Sequence, residues 1–181
     1  NERGLSEDTL KQFKVGFAMD SWDQLVKQCT GKGFTKSHIN KSGLFTQSEK
    51  GTFDRFRSRI MFPIHHPSGK PIAFGGRIIE VDDPAKYLNS PETPLFHKGR
   101  ELYGLYECQQ ALINIQKIVV VEGYMDVISL AQHGIDYAVA SMGTATTDDH
   151  FNRLFRLTDY IYFCFDGDQA GLDAAWRALK N

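Results

Sequence analysis

Two short acidic motifs in the second half of the chain have the residue types and spacing of a cation site. The first is VVVEGYMD, with Glu122 and Asp126 four residues apart. The second is FDGDQAG, where only Gly167 separates Asp166 from Asp168. Carboxylates that close repel one another and raise each other's pKa, a cost that a shared cation relieves. If the strand leading into Asp166 continues through Gly167, the i, i+2 spacing puts both aspartates on one face. Clustered hard oxygen donors suit Mg²⁺ or Mn²⁺ rather than zinc. One or two such ions could orient a 3′-hydroxyl and the phosphates of a nucleotide. A plainer reading stays open for Asp168, which could cap a helix starting at Gln169 or Ala170.

Such carboxylates need a scaffold, and the sequence from Lys117 onward supplies one. KIVVVE is a continuous β-branched run, as in a strand buried on both faces. MDVISLAQHG predicts a helix closed by Gly134, and DYAVASMG a second strand. TTDDHFNRLFRL predicts a helix capped by Thr146 or Thr147. DYIYFCFD predicts a third strand, and DQAGLDAAWRALK a third helix. This alternation predicts a parallel sheet with right-handed crossovers and a site at the carboxyl ends of its strands. Glu122, Asp126, Asp166 and Asp168 are then expected around one crevice, beside the small-residue loop ASMGTATT.

The first half is different. In RFRSR, a strand would present Arg55, Arg57 and Arg59 on one face. Arg77 follows two glycines, Lys86, Tyr87 and Asn89 sit in KYLNSPE, and Lys98 lies in FHKGR. Together these are candidates for a groove that holds a phosphate backbone, with Tyr87 available to stack on a base. The alternative is an arginine-decorated surface sheet. Charge is divided accordingly: net +2 over residues 1–50, +3 over 51–100 and −6 over 101–181. That asymmetry fits a polyanion on one side and cations on the other.

The remaining expectations concern the frame. Alternation on both sides of HPSGKP predicts a β-hairpin, with His65 and His66 serving the turn. LSEDTLKQFKVGFA opens a helix capped by Ser6, with Leu10 and Phe13 on one face. SWDQLVKQC predicts a second helix capped by Ser21, and the stretch after it a loop or short helix pair. Residues 82–105 read as mostly loop, with a helix forming near Leu102. Trp22 and Trp176 are expected to pack. Cys29, Cys108 and Cys164 form no CxxC pair and are expected to be buried, in a reducing, cytoplasmic setting. No apolar run approaches the roughly 20 residues of a membrane helix, and no signal-peptide pattern is seen.

In order along the chain, RFRSRIMFPI, IAFGGRII, KYLNSPETPLFHKGRELYGL, VVVEGYMDVISLAQHG, AVASMGTATT and FDGDQAGLDAAWRAL resemble the RNA-polymerase core of bacterial replicative primases of the DnaG type. The resemblance implies an α/β chain: a primase-specific α+β subdomain over residues 1–115, then a Toprim-type parallel sheet flanked by helices over 116–181. It implies that Glu122 serves metal and proton handling at the attacking hydroxyl. It further implies that Asp166 and Asp168 chelate Mg²⁺ beside Asp126. The family's basic groove would map onto Arg57, Arg77, Lys86, Tyr87, Asn89 and Lys98. Single-stranded DNA template, nucleoside triphosphates and nascent RNA primer are the implied partners.

Family features outside these 181 residues are a zinc-binding module ahead of them, a helicase-binding region after them and a further acidic motif past the DxD helix. The chain is therefore expected to be a piece of the catalytic core with an incomplete acidic site. The reading is template-directed synthesis of short RNA primers. Rival readings are another Toprim enzyme, a topoisomerase or nuclease, or a nucleic-acid- or nucleotide-binding module without catalysis.

Overall fold

The structure is a computed structural model that describes residues 4–79, 85–143 and 145–178. Thr144, residues 82–84 of the predicted loop and the last helix beyond Ala178 lie outside the described residues. The N-terminal part opens with α1 (Glu7–Gln12), capped by Ser6 Oγ accepting the Thr9 N–H at 3.2 Å. The chain then turns through Lys14, whose φ is 50°, into the short strand β1 (Gly16–Ala18). Helices α2 (Gln24–Gly31) and α3 (Lys36–Lys41) follow. The N-cap of α2 is Asp23; Ser21 Oγ reaches only the Gln24 N–H, at 3.2 Å.

Strands β2 (Phe45–Ser48) and β3 (Gly51–Asp54) form a two-residue hairpin that the sequence reading did not anticipate. Gly51, the first residue of β3, has φ 124°. Next come β4 (Arg59–His65) and β5 (Pro71–Ile78), the predicted hairpin, and β6 (Tyr87–Asn89), inside the stretch expected to be loop. These build an antiparallel sheet ordered β1-β4-β5-β6.

Helix α4 (Leu105–Ala111) leads into the parallel sheet, whose strands are β7 (Ile118–Val121), β8 (Ala138–Ala140) and β9 (Ile161–Phe163), ordered β8-β7-β9. The crossovers are α5 (Tyr124–Gln132) and α6 (Asp148–Leu154), and α7 (Gln169–Ala178) follows β9. Thr147 caps α6, as its position predicts. β7 carries Ile118, Val120 and Val121 in the buried interior, which explains its β-branched run.

The two sheets share a core. Tyr124, from the start of α5, stacks on Phe62 of β4 with centroids 5.1 Å apart and planes at 7°. Tyr103 meets Tyr124 edge-on at 4.7 Å and pairs its backbone with Ala140 of β8. Phe13, Phe96, Val121, Val127 and Ile128 belong to the same cluster. A second cluster, built on Leu102, Leu105, Ile118, Val139 and Leu154, lies under the other face of the parallel sheet.

Several expectations are corrected here. Arg55, Arg57 and Arg59 do not share a strand face, because β3 ends at Asp54 and β4 starts at Arg59. Ser58 between them takes φ 48°, which breaks extended alternation. His65 belongs to β4 rather than the turn; it is buried and bonded through Nδ1 to Glu107 Oε1 at 2.8 Å. His66 does serve the turn, with Nδ1 accepting the Ser68 N–H at 3.1 Å. Trp22 and Trp176 are 62% and 65% exposed, so neither is a core residue, although Trp22 packs edge-on against Phe53 at 5.4 Å. Cys108 is buried, which pushes its thiol pKa up to about 11, but Cys29 is only half-buried and Cys164 is exposed.

Candidate functional site

The carboxyl ends of the parallel strands carry the acidic residues, as an open α/β sheet requires. Glu122 follows β7, the central strand, directly. Its Oε1 accepts the N–H of Asp166 at 2.9 Å, which ties the loop after β9 to the end of β7. Asp126 sits in the first turn of α5, and its Oδ2 accepts the Gly123 N–H at 3.0 Å. An acidic group there satisfies an otherwise free helix N–H and lies favourably in the helix dipole.

β9 stops at Phe163, so Asp166 and Asp168 do not project from one strand face. The register with β7 ends at Phe163, and the last backbone bond to that strand is from the Cys164 N–H to the Val120 carbonyl at 2.9 Å. Asp168 Oδ1 accepts the Gly171 N–H at 2.8 Å, the capping role left open in the sequence. Gly171 is required by space: a Cβ there would lie 2.0 Å from the Asp166 carbonyl oxygen. The first turn of α7 is thereby pressed against the loop bearing both aspartates, more closely than any other residue type would permit.

Across from these carboxylates stands the edge of the antiparallel sheet. A cleft of about 460 Å³ is lined by Lys86, Tyr87 and Asn89 on one side and by Glu122, Asp126 and Asp166 on the other. Tyr124, Met142 and Gly143 form part of its floor. A smaller neighbouring hollow of about 220 Å³ shares Glu122 and Gly143 and adds Thr146 and Arg177. Glu122 is therefore common to both spaces.

Asn89 links the two sheets at this cleft. Its Oδ1 accepts the Tyr124 hydroxyl at 2.7 Å and its Nδ2 donates to the Met142 carbonyl at 2.9 Å. Its own carbonyl accepts from Arg55 Nη2 at 3.1 Å. Burial pushes the Tyr124 hydroxyl pKa well up, with nearby Tyr87 adding to the effect, so it remains a hydrogen-bond donor. Met142 adopts φ 59°, a left-handed conformation rare outside glycine, followed by Gly143 at φ 79°. A bulky residue held there, buried and with its carbonyl engaged, marks an over-determined loop of the kind found at functional sites.

The other basic candidates separate. Lys86 is exposed at the rim of the cleft, and Tyr87 lies 6.3 Å from the Tyr124 ring with planes at 30°. Arg77, on β5 opposite Tyr87, keeps its Nε buried without a hydrogen-bond partner among the described residues. Arg57 leaves the cleft altogether, with its guanidinium 4.0 Å from the centre of the Trp22 ring. Arg59 is buried and donates to the Ala85 carbonyl at 2.9 Å. Lys98 lies outside the cleft lining, and its backbone N–H is held by Glu92 Oε1 at 2.9 Å.

Among the described residues no three His, Cys, Asp or Glu side chains come together as a ready metal-ligand group. Glu122, Asp126 and Asp166 share the cleft as hard oxygen donors, a donor type that fits a divalent cation. Asp168 is not part of the cleft lining, and its Oδ1 is engaged by the Gly171 N–H. Sequence reasoning missed Tyr124 and Met142; the only hints of close packing were the glycines beside them, Gly123 before Tyr124 and Gly143 after Met142.

A parallel sheet ending in carboxylates, locked by a shared core to an antiparallel sheet with a basic rim, defines a Toprim-like domain mounted on a second α+β body. Residues 1–109 match the family model described as DNA primase catalytic core, N-terminal domain, and residues 119–181 match the Toprim-like model. The chain belongs to the DnaG-type DNA primase family. It is 55% identical to the DNA primase of Pseudomonas aeruginosa and 53% identical to that of Salmonella typhimurium, over 99% of its own length in each case. It spans 27% and 31% of those two relatives. A solved DnaG primase catalytic domain bound to ssDNA superposes with a TM-score of 0.92 at 51% identity, over 99% of this chain and 56% of that one.

Proposed function

We propose that this chain is the part of a primase that holds template and nucleotide for synthesis of short RNA primers on single-stranded DNA. The observation that carries the reading is the single cleft in which Lys86 and Tyr87 face Glu122, Asp126 and Asp166. In support stand the family membership and a related catalytic domain seen with single-stranded DNA. A topoisomerase or nuclease reading, or a module without catalysis, has no comparable support.

In this reading residues 1–115 form the template-facing subdomain and 116–181 the Toprim domain. Lys86 meets phosphate as a point charge, and Tyr87 offers a ring face to a base or sugar. Arg77 and Lys98 extend the basic surface away from the cleft, and Arg55 acts indirectly by fixing Asn89. Arg57, stacked on Trp22, would meet the strand farther out. Glu122 accepts or holds the proton of the attacking 3′-hydroxyl, while its bond to the Asp166 N–H fixes its position.

Glu122, Asp166 and Asp168 would hold Mg²⁺ or Mn²⁺, with Asp126 adjacent. Bound there, the ion would lower the pKa of a coordinated hydroxyl and neutralise charge on the phosphates. Zinc belongs, on this reading, only to an N-terminal module outside these residues, and the replicative helicase contacts a C-terminal region also outside them. No helix among the described residues is long and apolar enough to cross a membrane. The primase reading itself implies a cytoplasmic location at the replication fork.

Mn²⁺ titration followed by electron paramagnetic resonance tests the metal assignment on the 181-residue chain itself. Binding that disappears in Asp166→Asn is expected. Binding indifferent to Asp166 and Glu122 would overturn it.

A further inference from the structure

The acidic half holds few cations, yet two of them, Arg153 and Arg156, meet Arg100 around one depression of about 330 Å³. Asp149 and Asn152 complete its lining. Guanidinium groups crowded together repel unless an anion lies between them. Glu101 compensates only Arg153, through a 2.5 Å contact between Oε2 and Nη1. Arg100 and Arg156 are exposed. Asp149, in the first turn of α6, is the one carboxylate on the lining.

The arrangement is held in place from below. Buried His150 bridges the carbonyls of Lys98 and Glu101 through Nε2, at 3.0 and 3.1 Å. The Thr147 hydroxyl donates to the Gly99 carbonyl, and Arg153 Nη1 donates to the Arg100 carbonyl at 3.2 Å. The segment carrying Arg100 is thus strapped to α6, which carries Arg153 and leads directly to Arg156. Side chains on such a fixed base lose less freedom on binding an anion.

We infer that the Arg100–Arg153–Arg156 depression is a second phosphodiester-binding site, which grips the backbone of a nucleic-acid strand outside the cleft between the two sheets. Every residue of the lining is charged or carries an amide, which matches a nucleic-acid contact. A protein-docking site would carry an apolar or aromatic centre. Guanidinium forks also match phosphate geometry better than lysine does. The inference rests on the nucleic-acid reading above but concerns different residues.

The test is fluorescence anisotropy of a labelled mixed-sequence single-stranded DNA oligonucleotide binding the 181-residue chain over a salt series. Arg100→Ala/Arg156→Ala removes two exposed side chains and should reduce the slope of log affinity against log salt by about 1.4. Asp149→Asn should tighten binding, because it removes the like charge from the lining. Lys86→Ala serves as the control for the cleft. An unchanged slope in the double variant with a reduced one in Lys86→Ala overturns this inference and leaves the cleft reading standing. Loss of effect in all variants overturns both. Stronger competition by a poly-glutamate peptide than by unlabelled oligonucleotide, abolished in the double variant, would identify an acidic protein segment as the occupant and also overturn it.

Discussion

Replacing Gly75 by alanine should damage the junction of the two sheets far more than its one added methyl suggests. Gly75 lies on β5 with ordinary extended backbone, so conformational strain plays no part. Space does: a Cβ there would stand 2.3 Å from Tyr124 Cζ and 2.5 Å from its hydroxyl oxygen. Ordinary contact needs the ring to retreat by about 1 Å. Its retreat is opposed by Phe62, stacked on it at 5.1 Å, and by Tyr103, which abuts its edge at 4.7 Å. Overpacking of this kind costs about 1–3 kcal/mol. Displacing the ring also breaks the Tyr124–Asn89 hydrogen bond, adding about 1 kcal/mol.

A total near 3 kcal/mol corresponds to a fall in Tm of about 6–12 °C for a chain of this size. Urea unfolding of Gly75→Ala, Tyr124→Leu and the double variant measures the coupling. Removing the ring relieves the clash, so the double variant should be less destabilised than the sum of the singles by at least about 1 kcal/mol. Additive losses would refute the packing argument.

Asp168 can be dissected by two substitutions. Asp168→Asn keeps an acceptor for the Gly171 N–H and should leave stability within a few tenths of a kcal/mol, while Asp168→Ala should cost about 1 kcal/mol; thermal unfolding distinguishes them, and only a metal role makes both lose Mn²⁺ binding. Burial holds His150 below the usual histidine pKa despite its two carbonyl partners. The unfolded chain then binds more protons than the folded one, so stability is full above about pH 6.5 and falls as pH drops below it. Denaturant midpoints between pH 5 and 7.5 should show that slope, and His150→Gln should flatten it. Removing His65 strands Glu107 in the core, so His65→Ala should cost about 3–5 kcal/mol, whereas His65→Leu/Glu107→Leu should recover much of the loss; equal destabilisation of the two in urea would contradict the pairing.

The parallel half was legible because its rules are local. A β-branched run gave β7, threonine gave the cap of α6, and the strand-end rule placed Glu122 and Asp166 at one crevice. The end of β9 was not legible: IYFCF is apolar throughout, and the strand ends where its backbone bonds to β7 run out, after the Cys164 N–H on the Val120 carbonyl. The arginine triplet misled for a similar reason. Alternation in RFRSR is compatible with a strand, but the left-handed Ser58 and the demand of Asp54 to cap α2, through the Leu25 and Val26 N–H groups, impose a bend. Asn89 looked like a ligand-binding polar residue, yet both ends of its amide are engaged across the sheet junction, a long-range fact no window of sequence contains.

We propose the cleft between Lys86 and Glu122 as the place of primer synthesis. This is tested most directly by grafting residues 1–181 into the corresponding segment of the full-length Salmonella typhimurium relative. Template-dependent ribonucleotide incorporation is then compared between the graft and its Glu122→Gln form, alongside single-stranded DNA binding. Incorporation should be lost while DNA binding is retained. Incorporation at an undiminished rate in Glu122→Gln would contradict it.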